Sequence, residues 1–409
     1  MKSGATETSY MYLHEHYQFP DNVFVSHLPD QIKLSDHAYK ILWAHHAYDQ
    51  HLFYEFDHNI VNHIVSPSEW NRQMFIRYHK VPEDKISVIP NGVAEMFSYS
   101  DKKTKSMIYT SIPYKGLEVL AKVIPIVHKK HPDTKFKIFS SMSLYGDDQL
   151  DTYIDTYDLL KSLSNVEYSR AIDRENLVEH YQEAAFFVHP NKWEETFCVS
   201  MTEAMRCGAF PIITDIGALA EVAGENNAQI VPIEGNPTNK GYEVTDNFIN
   251  NFAETCCLIL DHYDKDKSYH KQVSKRISDY VIEKYNWKTI SNQWKTLIHS
   301  ITGESITMTE SNENIVETTA KKETSMLPYD PINAHQAVTD EDYLQIASEN
   351  VFRWEQSDRE MAQGRTNFQL EKFIGLNTHN LSVTFEHILK ERRIMASGYM
   401  QKLIEMKER

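Results

Sequence analysis

The most informative part of the chain is residues 186–221, whose sequence is FFVHPNKWEETFCVSMTEAMRCGAFPIITDIGALAE. An apolar run ending at His189-Pro190 predicts a buried strand, and residues 210–214 predict another. Between them a polar loop leads into a helix that starts near Phe197 and stops at Gly208, a residue suited to the position after a helix. Open α/β sheets bind ligands where such a loop enters a helix, and free helix amides suit a phosphate.

Two carboxylates in this stretch are candidates for ligand binding. Glu195 lies in the polar loop, and Glu203 lies two turns into the predicted helix. Carboxylates so placed can each accept a pair of hydrogen bonds from a vicinal diol, which a sugar and a ribose both present. The alternative is structural, with Glu203 solvated on the helix and Glu195 stabilising the helix dipole. The spacing leaves both interpretations open.

The rest of the chain indicates an α/β protein followed by a helical extension. Strand-like runs alternate with helical patterns between about residues 20 and 235, which predicts parallel sheets. The predicted strands are 23–26, 41–44, 64–66, 87–89, 107–109, 136–140, 185–189, 210–214 and 230–231. Turn chemistry at Pro90-Asn91-Gly92 predicts a domain boundary. The predicted divisions are a domain over 1–96, a domain with two closing helices over 97–301, a Thr/Ser/Glu-rich linker over 302–328, and a helical extension over 329–409.

Composition and charge exclude several classes of protein. The 409 residues carry 42 Lys and Arg against 58 Asp and Glu, a net charge of −16 that disfavours nonspecific binding to nucleic acid. No apolar run approaches the length of a transmembrane helix and no signal peptide is evident, so a cytoplasmic location is expected. The spacing of the four cysteines suits neither a disulfide framework nor paired zinc knuckles.

Several ordered segments resemble the family 4 group of retaining GT-B glycosyltransferases. The segments HPNKWEETF, TEAMRCGAFP and DIGALAE are similar to the family's Glu-x-Phe-Gly, Glu-Ala-Met-x-x-Gly-x-Pro and Asp-x-Gly-x-x-x-Glu boxes. Pro90–Val93 and the Lys-Gly turn in residues 109–118 also resemble family segments, so the resemblance covers about residues 60–300. It implies a GT-B-like α/β fold with two Rossmann-like domains facing a cleft, the N-terminal one abbreviated.

The resemblance also implies roles for individual residues. Glu195 would hold hydroxyls of the donor sugar, and Glu203 would hold the ribose hydroxyls. Lys115 would neutralise the diphosphate, which gains charge as it leaves, so a fixed cation there favours the transition state; the alternative is a solvated turn lysine. The main-chain amides around Phe197, Cys198 and Val199 would face the sugar or diphosphate.

The remaining candidates lie in other segments. Ser111, Asn91 and Gly92 are predicted to contribute to donor binding. His45 follows a strand of the first domain and would reach the sugar across the cleft, with His46 as the second choice. Because the chain has 20 histidines, a structural role for either one is the alternative.

Three departures from the family pattern bear on these expectations. Thr110 stands where the family often has an Arg, and Cys198 stands where it has a Gly. The sequence before Pro90 is about half the usual length and lacks a Gly-rich loop, which puts the acceptor site in question. A non-catalytic GT-B-derived module that acts with a partner is therefore the alternative to an enzyme, and an epimerase would need carboxylates in the first domain that the sequence does not identify.

The expected reaction is transfer of a sugar from a nucleotide-diphosphate donor to a glycan, lipid or other hydroxyl acceptor, with retention of configuration and without metal or cofactor. The Asp-x-Asp motifs at 264–266 and 340–342 are interpreted as solvated turns, since neither follows a strand. The basic segment 70–85 suits either a solvated helix or a peripheral membrane contact. Residues 329–409 are expected to support oligomerisation or partner docking.

Overall fold

The fold comes from a computed structural model, which describes residues 5–48, 53, 56–145, 151–238 and 241–303. The predicted helical extension and all but the first two residues of the predicted linker lie outside the described residues.

Two parallel sheets follow one another along the chain. The first has the order β1-β2-β3-β4, and the second has the order β10-β9-β8-β5-β6-β7; β11 and β12 form a separate antiparallel hairpin. The strands are β1 (Val23–Ser26), β2 (Tyr39–Trp43), β3 (His63–Ser66), β4 (Ile86–Val88), β5 (Thr104–Tyr109), β6 (Lys135–Phe139), β7 (Val166–Ser169), β8 (Ala184–His189), β9 (Phe210–Thr214), β10 (Gln229–Val231), β11 (Gly235–Thr238) and β12 (Gly241–Val244). All nine predicted strands are present.

The helices connect the strands and cover the sheets, as expected for parallel α/β units. They are α1 (Ala5–His16), α2 (Pro29–Leu34), α3 (Glu69–His79), α4 (Leu117–Lys130), α5 (Ile154–Ser162), α6 (Arg174–Glu183), α7 (Val199–Arg206), α8 (Leu219–Ala223), α9 (Asp246–Lys265), α10 (Lys267–Lys284) and α11 (Trp287–Thr302). Helix α7 begins two residues later than predicted, and Gly208 follows its end with φ of 89°. The two predicted closing helices are α10 and α11, with the break at the predicted position.

Helix α11, the last helix among the described residues, packs on the first sheet rather than the second. Its buried residues Trp287, Ile290, Trp294 and Ile298 recur every three or four residues, the spacing of one helix face. Trp294 is fully buried, with its ring centroid 4.9 Å from that of the β2 residue Trp43. The last segment of the predicted second domain therefore completes the core of the first sheet.

The second sheet is buried on both faces. Strand β8 is entirely buried, with helices α4 and α9 covering one face of the sheet and α7 and α10 the other. A strand buried on both sides lies at the centre of a sheet, so its carboxyl end opens where neighbouring loops converge. Within the described part of the chain, no helix is both long and apolar enough to cross a bilayer.

Candidate functional site

The loop between β8 and α7 is held in one conformation by its own polar groups. The side-chain amide of Asn191 donates to the carbonyl of Trp193 and accepts from the Trp193 amide, at 2.6 and 3.0 Å. The hydroxyl of Thr214, at the end of β9, donates to the Asn191 carbonyl. Glu195 is thereby presented on a fixed loop at the carboxyl edge of the second sheet.

Lys115 and Glu195 form an ion pair at this edge that is buried on the Glu195 side and partly exposed at Lys115. The Lys115 Nζ lies 2.7 Å from Oε1 of Glu195, although the residues are 80 positions apart. Lys115 belongs to a short turn after β5, and the next residue, Gly116, has φ of 110°. A Cβ on Gly116 would lie 2.1 Å from the Pro190 carbonyl oxygen, so only glycine lets the two loops pack this closely. The structure thus brings together the two residues predicted to act on the sugar and the diphosphate.

The electrostatics of Glu195 keep it anionic. Burial alone would raise its pKa, but the Lys115 ammonium and His189 outweigh burial and lower the pKa of Glu195 to about 2. His189 is fully buried, and desolvation lowers its own pKa below the usual value. The site therefore presents a carboxylate that can accept hydrogen bonds from sugar hydroxyls at any ordinary pH.

Gly217 packs directly against the backbone of Glu195. Its φ is 62°, and a Cβ there would lie 2.4 Å from the Glu195 amide nitrogen and 2.5 Å from its carbonyl oxygen. The amide of the following residue, Ala218, donates to the Glu195 carbonyl at 2.7 Å. Gly217 is the glycine of the DIGALAE segment, and the close approach of the Glu195 backbone explains why this position requires glycine.

We expect Gly217→Ala to lower activity by about 10²-fold, because a displacement of about 1 Å at a site loop costs that much. Gly303→Ala is the matched control: Gly303 also has a left-handed φ, 71°, but nothing lies within 4 Å of its Cβ position. The control isolates the cost of backbone strain from the cost of the clash. Initial rates and urea unfolding of both variants measure the difference, and equal losses of activity in the two variants would contradict a specific role for Gly217.

Glu203 is buried and paired, which corrects the interpretation of a solvated helix residue. It is 3% exposed, and its carboxylate accepts a hydrogen bond from the Arg174 guanidinium. Arg174 begins α6, and its Cζ lies 5.6 Å from the ring centroid of Tyr12 and 5.4 Å from that of Phe97. Arg174 was not predicted from the sequence, although it starts a helix in the family-like segment. The predicted contact of Glu203 with ribose hydroxyls stays a prediction, and it requires Arg174 to share or release the carboxylate.

The residues at the start of α7 have different environments. Phe197 is 2% exposed and its ring packs against Tyr285, so only its main chain is available to a ligand. Cys198 adopts φ of 69° and ψ of 75°, a left-handed conformation that suits glycine, the residue the family has there. Val199 is the first residue of α7. Their amides lie at the helix N-terminus, as predicted, and their contact with a donor stays a prediction.

The strained backbone at Cys198 gives a test of the local conformation. We expect Cys198→Gly to be more stable than Cys198→Ala by about 1 kcal/mol, because both lose the buried thiol but only glycine relieves the left-handed strain. This order is the reverse of the usual preference for alanine near helices. Urea unfolding of the two variants measures it, and a more stable alanine variant would show that residue 198 is not left-handed.

Ser111, Asn91 and Gly92 are buried at two different places. Ser111 follows β5, on the same edge as Lys115, and its carbonyl accepts from the Ser140 hydroxyl at 2.6 Å. Gly92 instead packs against the start of α11, where a Cβ would lie 2.4 Å from the Trp287 ring. Asn91 is 3% exposed, and its Oδ1 has no hydrogen-bond partner among the described residues. The structure therefore places Ser111 in the same β5 loop as Lys115 and gives Gly92 a packing role.

His45 lies across from the site loop. Its carbonyl accepts a hydrogen bond from the hydroxyl of Thr196, the residue that follows Glu195, at 2.8 Å. Its ring packs 4.4 Å from the Trp43 ring, and burial, together with His27 and His46, lowers its pKa well below the usual value. The main chain of His45 thus contacts the site loop while its ring packs on Trp43, and contact of the ring with a sugar stays a prediction.

A second connection across the two sheets involves Glu221, which was not predicted as a site residue. Its Oε1 accepts from the Glu69 amide at 2.7 Å and its Oε2 from the Trp70 amide at 2.9 Å. These amides begin α3, so the carboxylate binds the positive end of that helix. Glu221 closes the DIGALAE segment, whose glycine supports Glu195, so one segment supports the site loop and joins the two halves.

Comparison with known proteins gives a family match for each of the two parallel-sheet halves of the molecule. Residues 95–256 match the model of Glycosyl transferases group 1, and residues 11–95 match that of Glycosyltransferase Family 4. The gpi3 subunit of phosphatidylinositol N-acetylglucosaminyltransferase from Schizosaccharomyces pombe is 24% identical over 253 residues, which is 60% of this chain and 50% of the relative. A Homo sapiens relative, also named as a subunit of phosphatidylinositol N-acetylglucosaminyltransferase, is 25% identical over 173 residues, covering 40% of this chain and 34% of the relative. The chain thus matches half or less of the length of these curated relatives.

Solved structures show the same fold. The pneumococcal O-GlcNAc transferase GtfA, in complex with UDP and GlcNAc, superimposes with a TM-score of 0.53 at 14% identity, covering 73% of this chain and 60% of that chain. Anabaena Alr3699/HepE, in complex with UDP-glucose, gives a TM-score of 0.53 at 12% identity, covering 71% and 82%. Similarity at this level of identity establishes the two-sheet architecture and leaves substrates to be determined from the site.

Proposed function

We propose that this chain, a GT-B protein of the glycosyltransferase group 1 and family 4 type, transfers a sugar from a nucleotide-diphosphate donor to a hydroxyl acceptor with retention of configuration. The observation that carries the proposal is the largely buried Lys115–Glu195 pair at the carboxyl edge of the second sheet. A carboxylate for sugar hydroxyls and a cation for a leaving diphosphate lie side by side there. No metal is needed to supply the positive charge.

The proposed reaction uses the charge that develops on the leaving group. As the bond between the anomeric carbon and the diphosphate oxygen breaks, negative charge grows on that oxygen. Lys115 and the amides at the start of α7 stabilise this charge more strongly than they stabilise the intact donor. The acceptor hydroxyl forms the new bond on the same face and gives its proton to the departing diphosphate, so no protein nucleophile is required.

The relatives indicate which substrates to test first. Two curated relatives carry the name phosphatidylinositol N-acetylglucosaminyltransferase. We therefore propose N-acetylglucosamine as the first sugar and an inositol phospholipid as the first acceptor. A lipid acceptor would also agree with one of the two interpretations of the basic segment 70–85, a peripheral membrane contact, which would place the enzyme at a membrane surface.

The test is a screen of the purified protein against nucleotide-sugars, after which NMR determines the anomeric configuration of the product. We expect donor hydrolysis with one nucleotide-sugar, transfer to a lipid or glycan acceptor, and a product with the donor's configuration. Activity should survive treatment with a chelator. Inversion would contradict the proposed mechanism, and loss of activity that added Mg²⁺ restores would contradict metal independence.

A second candidate is a non-catalytic subunit that keeps the fold and acts with a partner. The specific observation in its favour is that both candidate carboxylates are already paired within the chain, Glu195 with Lys115 and Glu203 with Arg174. Both curated relatives are also named as subunits. Protein that binds a nucleotide but neither hydrolyses nor transfers any sugar, alone or with a partner, would favour this candidate.

A further inference from the structure

Three buried side chains with different metal-binding groups meet at the start of α7. A ring nitrogen of His189, a carboxylate oxygen of Glu195 and Sγ of Cys198 all lie within 4.8 Å of one another. The three residues are 0%, 6% and 7% exposed. A tetrahedral Zn²⁺ ion holds nitrogen, oxygen and sulfur ligands at about 2.0–2.3 Å, so atoms this close can surround one ion after small side-chain movements.

The environment of His189 is an independent indication of a ligand. Its side chain is fully buried, yet neither ring nitrogen makes a hydrogen bond with good geometry among the described residues. Its Nε2 instead faces Oε1 of Glu195 at 3.5 Å. Buried polar atoms in proteins nearly always have a partner, and an orphan calls for an explanation such as an ion. The imidazole thus directs Nε2 at the Glu195 carboxylate, in the small space that the Cys198 thiol also borders.

We propose that His189, Glu195 and Cys198 form an inhibitory site for Zn²⁺ or a similar thiophilic divalent cation. Imidazole, carboxylate and thiolate together form a donor set that Zn²⁺ favours, with a fourth position open to water. On binding, the metal–sulfur bond forms and the thiol proton passes to solvent, with no change in oxidation state. The inhibition rests on the proposed function: a metal on Glu195 takes the carboxylate that the donor sugar would use.

Co²⁺ is the probe that reports on the sulfur ligand, because a cobalt–thiolate bond gives a charge-transfer absorption band. We expect the full chain to show this band on titration with Co²⁺, and Zn²⁺ to displace it. Cys198→Gly should abolish the band and weaken Zn²⁺ binding at least about tenfold, and His189→Gln should weaken Zn²⁺ binding similarly. Cys257→Ala is the matched control, since Cys257 is a buried cysteine on α9. Absence of the band in the native protein, or its persistence in Cys198→Gly, would overturn the proposal.

Lys115→Met gives a test with the opposite sign. In the native protein, the Lys115 ammonium lies 2.7 Å from Oε1 of Glu195 and competes with a metal for this oxygen. Removing the ammonium should therefore tighten Zn²⁺ binding severalfold. Unchanged or weaker binding would contradict the participation of Glu195 and, with it, the inhibition.

The outcomes distinguish this inference from the proposed function. The cobalt titration uses no donor, so a thiolate band in a protein without transfer activity would support the metal site while the proposed function fails. Transfer activity in a protein without the band would support the proposed function and contradict the metal site. With both present, micromolar Zn²⁺ should inhibit transfer by the native protein, and should inhibit Cys198→Gly much less relative to that variant's own rate without zinc.

Discussion

Lys115→Met is expected to reduce the rate constant for sugar transfer by about 10³-fold, with a much smaller effect on KM. The Lys115 ammonium lies 2.7 Å from the site carboxylate and is largely buried, with its side chain 21% exposed. A preorganised positive charge in such a place acts mainly on the charge that develops as the diphosphate leaves. An interaction made mainly in the transition state lowers kcat when it is lost, whereas one shared with the ground state raises KM.

The control for this prediction is Lys122→Met, the same substitution on the exposed face of α4. Steady-state kinetics of both variants separate kcat from KM, and urea unfolding shows whether the site variant remains folded. The double variant Lys115→Met/Glu195→Gln should be little worse than Lys115→Met alone, because residues that act as a unit are not additive. A kcat of Lys115→Met within about threefold of the native value would refute the role of Lys115.

Much of the fold could be predicted from the sequence because parallel strands buried on both faces are continuous apolar runs. Strand β8 is the clearest case, buried at all of its positions. Strand β7 lies at the sheet edge and is only partly buried, so its sequence has a weaker apolar pattern than that of β8. Strand β11 contains Gly235 and Pro237, residues that strands usually avoid, and it pairs only with β12 among the described strands, so its own sequence gives little indication of a strand. The packing of α11 on the first sheet depends on the tertiary fold, which local periodicity does not encode.

The candidate site could be predicted only in part. Glu195 and Glu203 were identifiable because both lie in one local segment with a recognisable pattern. Arg174 was not, since its pairing with Glu203 depends on how closely α6 approaches α7 in space. The interdomain role of Glu221 was missed for the same reason: its partners are backbone amides 152 and 151 positions away. Side chains whose partners belong to distant segments leave no local signal, and only family resemblance or coordinates identify them.

Arg174→Met is expected to lower the free energy of unfolding by about 3–5 kcal/mol, because it leaves the Glu203 carboxylate buried without its cation. The Glu203 side chain is 4% exposed and the Arg174 side chain is 21% exposed, so water compensates little for the loss. The substitution also removes the stacking of the guanidinium on Tyr12 and Phe97. The exposed pair of Lys161 and Asp158 is the control: its side chains are 57% and 65% exposed, and Lys161→Met should change stability by no more than about 1 kcal/mol.

The double variant Arg174→Met/Glu203→Gln distinguishes loss of the pair from the cost of an orphaned charge. Replacing both partners of a buried ion pair by neutral groups is commonly far less damaging than removing one, because no charge remains desolvated. We therefore expect the double variant to be more stable than Arg174→Met alone, by about 2 kcal/mol in a urea unfolding series. If the double variant is instead as unstable as the sum of the two single variants, Arg174 stabilises the protein through its ring contacts, and Glu203 does not depend on it for charge compensation.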